Sequence, residues 1–175
     1  SGDVLKGLMT QYDGPECLDC PGGSSSYEYD INLLSPEDST LNLLSSTEYG
    51  RNTTFENHDK NGNPGVVTEA VATQEERQTI YNYDPRHLDK VETKTEPSVY
   101  AAGSKVTAYT YDDFGNTTSI TVIGYRPDGA SVVRSKSFLY NGPYHQLSEI
   151  NGPRTDVEDI YNIIYYPDTE AEGNN

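Results

Sequence analysis

The chain has 175 residues, 12 Lys and Arg against 28 Asp and Glu for a net charge of −16, and only 33% hydrophobic residues. An acidic balance of this size repels phosphate, which argues against nucleic acid or an anionic membrane as partner and for cations or a basic protein surface. No apolar run approaches the ~18 residues of a membrane span, which argues against membrane insertion. Leu, Ile, Val and Phe together fall just under the ~20% that, with high charge, marks disorder. Fifteen tyrosines outweigh that signal, because disordered chains are poor in aromatics and a Tyr ring buries area while its hydroxyl finds a partner.

Charge divides the chain into three: residues 1–50 hold nine acids and one base, 51–154 thirteen and eleven, and 155–175 six and none. Residues 1–26 read as an N-terminal strand and a Cys/Gly/Ser-rich loop. Cys17-Leu18-Asp19-Cys20 contains both cysteines, and Pro15, Pro21, Gly22 and Gly23 place the pair in a loop. Structural zinc needs four ligands, and His58, His87 and His145 do not sit at the paired spacing of a finger, so the pair reads as a local disulfide or two inert thiols. Ser24, Ser25 and Ser26 follow Gly-Gly in a flexible loop and lack the Gly-x-Ser-x-Gly frame of a nucleophile elbow.

From residue 27 to 166 one pattern recurs. Tyr27-Glu28-Tyr29-Asp30, Tyr81-Asn82-Tyr83-Asp84 and Tyr109-Thr110-Tyr111-Asp112 share Tyr-x-Tyr-Asp, and His58 to Asn63 matches Tyr111 to Asn116 at Asp, Gly and Asn. Phe138 to Asn141 and Ile164 to Pro167 are weaker copies. A step of roughly 25–30 residues marks stacked supersecondary units, none of which buries its own face alone. Tyr109 and Tyr111 lie two apart on one strand face, Asp112 to Asn116 supply turn chemistry, and Thr117 to Ile123 return as a β-branched strand.

The same reading makes a hairpin of Thr79–Tyr83 and Lys90–Thr95, a strand of Val132–Tyr140, a return at Gln146–Ile150 and a last strand around Ile160 that lacks a partner. Residues 33–48 read as a turn and a strand from Thr40 to Thr47. Glu69 to Gln78 suits either a short helix or a long exposed strand. The expected fold is all-β, with antiparallel hairpin repeats in a continuous twisted sheet. Its turns are expected near Asp30, Asp59, Asp84, Asp112 and Asn141, and its paired tyrosines buried against the next repeat. Residues 167–175 form an acidic, disordered tail in this reading. Unpaired strand edges would template other chains, so self-association is expected once salt screens the acids or pH nears about 4.

Tyr109-Thr110-Tyr111-Asp112-Asp113-Phe114-Gly115-Asn116, with its copies, resembles the YD repeats of the RHS family. The resemblance implies β-hairpins joined into a sheet that spirals into a hollow shell, as in bacterial polymorphic toxins, insecticidal toxin complexes and, in a related form, teneurins. It implies a structural segment of a shell or scaffold around a toxin or other cargo polypeptide, with the remainder of a larger RHS-type polypeptide as partner. The location implied is secreted or cell-surface, in a bacterium. Pro85 follows Asp84 with no Gly three residues after that Asp, Asn141 replaces the motif's Asp, and the family's self-cleaving Asp-Pro-x-Gly segment is missing. A piece of shell wall or a truncated member fits these departures. The alternative is a secreted or surface binding module whose exposed tyrosine faces recognise carbohydrate or a protein.

Catalytic signals are weak. Asn57-x-Asp59-x-Asn61-Gly62 resembles half a calcium loop, but the twelfth position is Thr68, with Glu69 one place late, and a divergent YD turn explains the same residues. Asp112-Asp113, Glu75-Glu76 and Glu158-Asp159 are adjacent acids that face opposite ways on a strand, unlike a glycosidase dyad. His145 reads as a loop residue, and Asn52 and Asn116 fit glycosylation sequons. No catalytic, cofactor-binding or metal-binding residue is assigned, and the chain is not expected to be an enzyme.

Overall fold

The computed structural model describes residues 11–13, 24–32, 40–100 and 103–165. Cys17, Cys20, the weak copy at Tyr166 and the acidic tail lie outside the described residues. The fold is all-β and antiparallel, and the chain divides into two compact units, residues 1–82 and 83–175.

In the first unit β1 (Gln11–Asp13), β2 (Ser24–Asn32), β3 (Thr40–Glu48), β4 (Arg51–Glu56), β5 (Val66–Glu69) and β6 (Arg77–Tyr83) pair in chain order. The second unit repeats that meander with β7 (Val91–Pro97), β8 (Ser104–Tyr111), β9 (Thr117–Tyr125), β10 (Ser131–Leu139), β11 (Glu149–Asn151) and β12 (Ile160–Asn162). Consecutive pairing follows from short connections whose turn residues reverse the chain at once.

Period-two alternation sorts the side chains. In the second unit Tyr109, Ile120 and Lys136 share one cross-strand row, and Thr107, Val122 and Arg134 the next. The opposite face carries hydroxyls: Thr121 and Ser135 bond at 2.9 Å, and Thr110 meets Ser119 at 2.7 Å and Thr118 at 2.8 Å. The first unit has a comparable row of Glu28, Ser45, Thr54, Thr68 and Gln78, in which the Ser45 hydroxyl donates to Glu28 at 3.2 Å.

Among the described residues Ala70 is the one buried apolar side chain; the other buried residues are Ser25, Ser46, Thr68, Thr79, Asp84 and Thr107. Domains ordinarily bury one face of a sheet under a second layer. The described strands bury little beyond small hydroxyl side chains, and backbone pairing with half-buried side-chain rows carries the order.

Five expectations change. Asp30 lies inside β2, paired with Asn42, and the strand runs on through Asn32 opposite Thr40, so no turn forms at Asp30. Ser24, Ser25 and Ser26 are not a loop: they open β2 and pair with β1, and Ser25 and Ser26 also pair with β3. Glu69 to Gln78 is neither helix nor continuous strand. β5 and β6 flank a tight loop with left-handed Ala70 and Ala72, in which Thr73 Oγ1 donates to the Ala70 carbonyl at 2.7 Å and Glu76 accepts the Ala72 N–H at 2.8 Å. Those two local bonds favour a turn that propensity alone does not reveal. Finally, β12 has a partner in β11, and Tyr81, Tyr83, Tyr109 and Tyr111 are half-buried, not enclosed.

Because the urea m-value scales with the surface that unfolding exposes, a sheet with so little apolar burial among its described residues should give less than ~1 kcal/mol/M, under the ~1–3 of small compact proteins. A urea titration followed by circular dichroism checks this, and a value near 2 would show a covered core.

Candidate functional site

The repeated Asp builds the turns. Gly115 N–H donates to the Asp112 carbonyl at 3.1 Å and Asp112 N–H to the Asn116 carbonyl at 3.0 Å, a tight turn followed by a left-handed Gly115 at φ +80°. The Asp112 side chain fills the loop: Oδ1 accepts the N–H groups of Phe114 at 2.9 Å and Asn116 at 2.8 Å, and Oδ2 accepts Asn116 Nδ2 at 2.9 Å. Asp59 makes the same set. Its Oδ1 takes the N–H groups of Asn61 at 2.8 Å and Asn63 at 3.0 Å, its Oδ2 takes Asn63 Nδ2 at 3.0 Å, and Gly62 sits at φ +84°. The three-residue hairpin loop needs a residue in the left-handed region, which Gly enters without strain.

Asp84 uses a longer frame. Pro85 follows it, Asp84 N–H donates to Lys90 O at 2.8 Å, and Oδ1 accepts the N–H groups of Arg86 at 2.8 Å and His87 at 3.2 Å. The extra residues carry two side chains to the next turn. Arg86 Nη2 donates to the Tyr111 carbonyl at 3.0 Å, Nη1 reaches Asp113 at 3.4 Å, and His87 Nε2 lies 2.9 Å from the Asp112 carbonyl. Tyr111 answers from the other side, donating its hydroxyl to the Val91 carbonyl at 2.6 Å. Tyr165 repeats this bond with the Leu147 carbonyl at 2.7 Å. Phe114 then stacks on His145, ring centroids 4.2 Å apart, so in the second unit the Asp84 turn touches the Asp112 turn and the Asp112 turn touches that at His145.

The electrostatics fit a structural clamp. Burial works against ionisation of Asp59, Asp84 and Asp112, but the donors around each outweigh it and hold all three carboxyls below their ordinary value. Those donors are Asn63 and Asn61 for Asp59, Arg86 and His87 for Asp84, and Asn116 and Phe114 with the charge of His145 for Asp112. Burial also raises the Tyr111 hydroxyl, as do neighbouring Tyr109, Asp84 and Asp89.

The residues singled out in the sequence fall as follows. Asp59 spends both oxygens on its own turn, and Thr68 and Glu69 are in β5, so the calcium-like spacing does not converge there. Among the described residues no three His, Cys, Asp or Glu side chains gather as a metal site. Asp112 turns inward while Asp113 is almost fully exposed; Glu75 binds Arg51 at 2.7 Å while Glu76 closes its loop, so neither pair forms a dyad. Asn116 Nδ2 is held by Asp112, and a glycan there would break the clamp. The sequence reading missed Arg86, His87 and the Phe114–His145 stack as inter-turn contacts. The one signal for the first two was the lengthened turn after Asp84. No protein-family model and no curated protein matches the chain.

Tyr111→Phe removes one hydrogen bond and should cost about 1 kcal/mol, whereas Tyr111→Ala should cost about 2, roughly half the ~3–5 of a core aromatic. Urea midpoints of the two variants check both values. Because the three carboxyls are lowered in the folded state, their contribution is complete above the unfolded value of ~3.9 and is lost as pH falls through the folded values. The unfolding midpoint should therefore hold at neutral pH and decline below about pH 4, more steeply in the parent than in Asp59→Asn/Asp112→Asn.

Proposed function

We propose that the chain is a structural YD-repeat segment, part of a wall or scaffold that encloses a toxin or other cargo polypeptide and performs no chemistry itself. The observation that carries this reading is the turn margin. Asp112 and its neighbours are engaged with the backbone of adjacent turns, and the paired tyrosines are half-buried between strands. Residues so engaged hold hairpins in register and leave few groups for a substrate. The sparse apolar burial among the described residues supports the same reading, since a sheet face is ordinarily buried under a second layer. The family that the motif resembles gives this role to secreted or cell-surface bacterial proteins, and the remainder of such a polypeptide is the partner.

A second reading, a module that recognises carbohydrate or protein, is favoured by five exposed rings among the described residues: Tyr49, Tyr100, Phe114, Tyr144 and Tyr161. The repeat tyrosines do not join that set, which favours the scaffold.

Native-state proteolysis of the natural polypeptide that carries this chain tests the enclosing role. A flanking segment should resist cleavage together with the wall, and Tyr111→Ala with Asp112→Ala should expose it. A flanking segment cut as fast in the intact polypeptide as in isolation contradicts the proposal.

A further inference from the structure

The two-residue connection between β3 and β4 is unusual for its sequence. Tyr49 has φ +51° and Gly50 φ +75°, the paired left-handed conformation that hairpins fill with Asn-Gly or Gly-Gly. A bulky aromatic at the first position is strained. Packing does not explain it, since Tyr49 remains 76% exposed. The ring instead lines a cavity of about 660 Å³ on the first unit, with Glu48, Arg51, Thr53, Phe55 and Glu69. Register places these groups on one face: Glu48 pairs with Arg51, Thr53 with Glu69, and Phe55 lies two residues beyond Thr53.

The charged groups around this cavity are each held in place by a hydrogen bond, two of them as ion pairs. Glu48 accepts the Tyr27 hydroxyl at 3.2 Å, Glu69 is held by Arg77 Nε at 3.2 Å and Nη2 at 2.7 Å, and Arg51 binds Glu75 at 2.7 Å. A carboxylate has more acceptor sites than these bonds use, and a guanidinium more donors. The cavity therefore offers fixed hydrogen-bonding groups beside an open aromatic face, with Glu69 and Arg51 in ion pairs and Glu48 held by a neutral hydroxyl. An anionic ligand would meet two carboxylates, and a wholly apolar one would strip water from them.

The geometry points to a binding site for a neutral saccharide, in which the Tyr49 ring stacks on the C–H face of a sugar and Glu48, Arg51 and Glu69 take its hydroxyls. The volume lies within the ~300–1,000 Å³ of small-molecule sites and suits one or two sugar rings. The inference stands apart from the enclosing role, because none of these residues belongs to the turn margin.

The test is saturation-transfer NMR and calorimetric titration of the full chain with maltose and cellobiose, with glucuronate as the anionic control. At least one neutral disaccharide should bind, and Tyr49→Asn should weaken it at least about tenfold, the effect of losing one stacked ring. The same variant should unfold at an equal or higher midpoint, because Asn suits the turn, and this separates lost binding from lost folding. Glu69→Gln should weaken binding with its β-sheet spectrum unchanged. Failure of both disaccharides to bind, equal binding by Tyr49→Asn, or tighter binding of glucuronate overturns the inference.

Discussion

A sheet that buries almost no apolar side chain among its described residues has to obtain its order from the hydrogen bonds between consecutive strands, and such a ladder is only as firm as its register. Register in an antiparallel hairpin is fixed at the turn. The Asp clamp supplies that constraint here: one carboxylate satisfies three donors of its own loop at Asp112 and again at Asp59, so the loop closes in one geometry. A hairpin fixed in this way is still marginal alone. The hydroxyls of Tyr111 and Tyr165, bound to carbonyls 20 and 18 residues earlier, tie two segments of the second unit to the strand or turn before them. Stability in such an arrangement is a sum of unit terms and nearest-neighbour terms.

The same constraint explains which residues are buried. Between closely paired strands the enclosed positions are small and carry hydroxyls, as at Ser46, Thr68, Thr79 and Thr107. Thr combines the β-branched shape that suits a strand with a hydroxyl able to pair locally. Asp84 is buried yet charged, and it is tolerated because Arg86 and His87 supply donors and Arg86 a compensating charge. The turn after Asp84 lacks the glycine of its relatives at Asp59 and Asp112. Its extra length positions Arg86 and His87 to grip the next turn, so the departure from the motif strengthens the coupling.

Much of this was legible in the residues. Asp112, Gly115 and Asn116 declare their turn because each does a separate local task, and Asp59, Gly62 and Asn63 repeat it even with His58 in place of tyrosine. Thr40 to Thr47 and Val132 to Tyr140 announce strands by composition and alternation, and the structure places β3 and β10 there. Asp30 misled because Tyr-x-Tyr-Asp alone does not specify a turn: Asp84 is followed by Pro85 and a turn, whereas after Asp30 the strand continues through Asn32. The loop between β5 and β6 was hidden because Thr73 and Glu76 act through bonds to nearby backbone, which helix propensity does not register. The contacts of His87 and His145 join residues about a repeat apart, where spacing gives no guide, and the strain at Tyr49 is visible only in its dihedral angle.

If successive turns support one another, loosening one must be felt in the next without any direct change there. Native-state hydrogen exchange on Arg86→Ala/His87→Ala measures this most directly, read at the amides of Phe114, Gly115 and Asn116, which all donate within the Asp112 turn. The account predicts that these three amides exchange faster than in the parent while the overall β-sheet spectrum is unchanged. Exchange at the parental rate for all three, with faster exchange confined to residues 84–90, would contradict it.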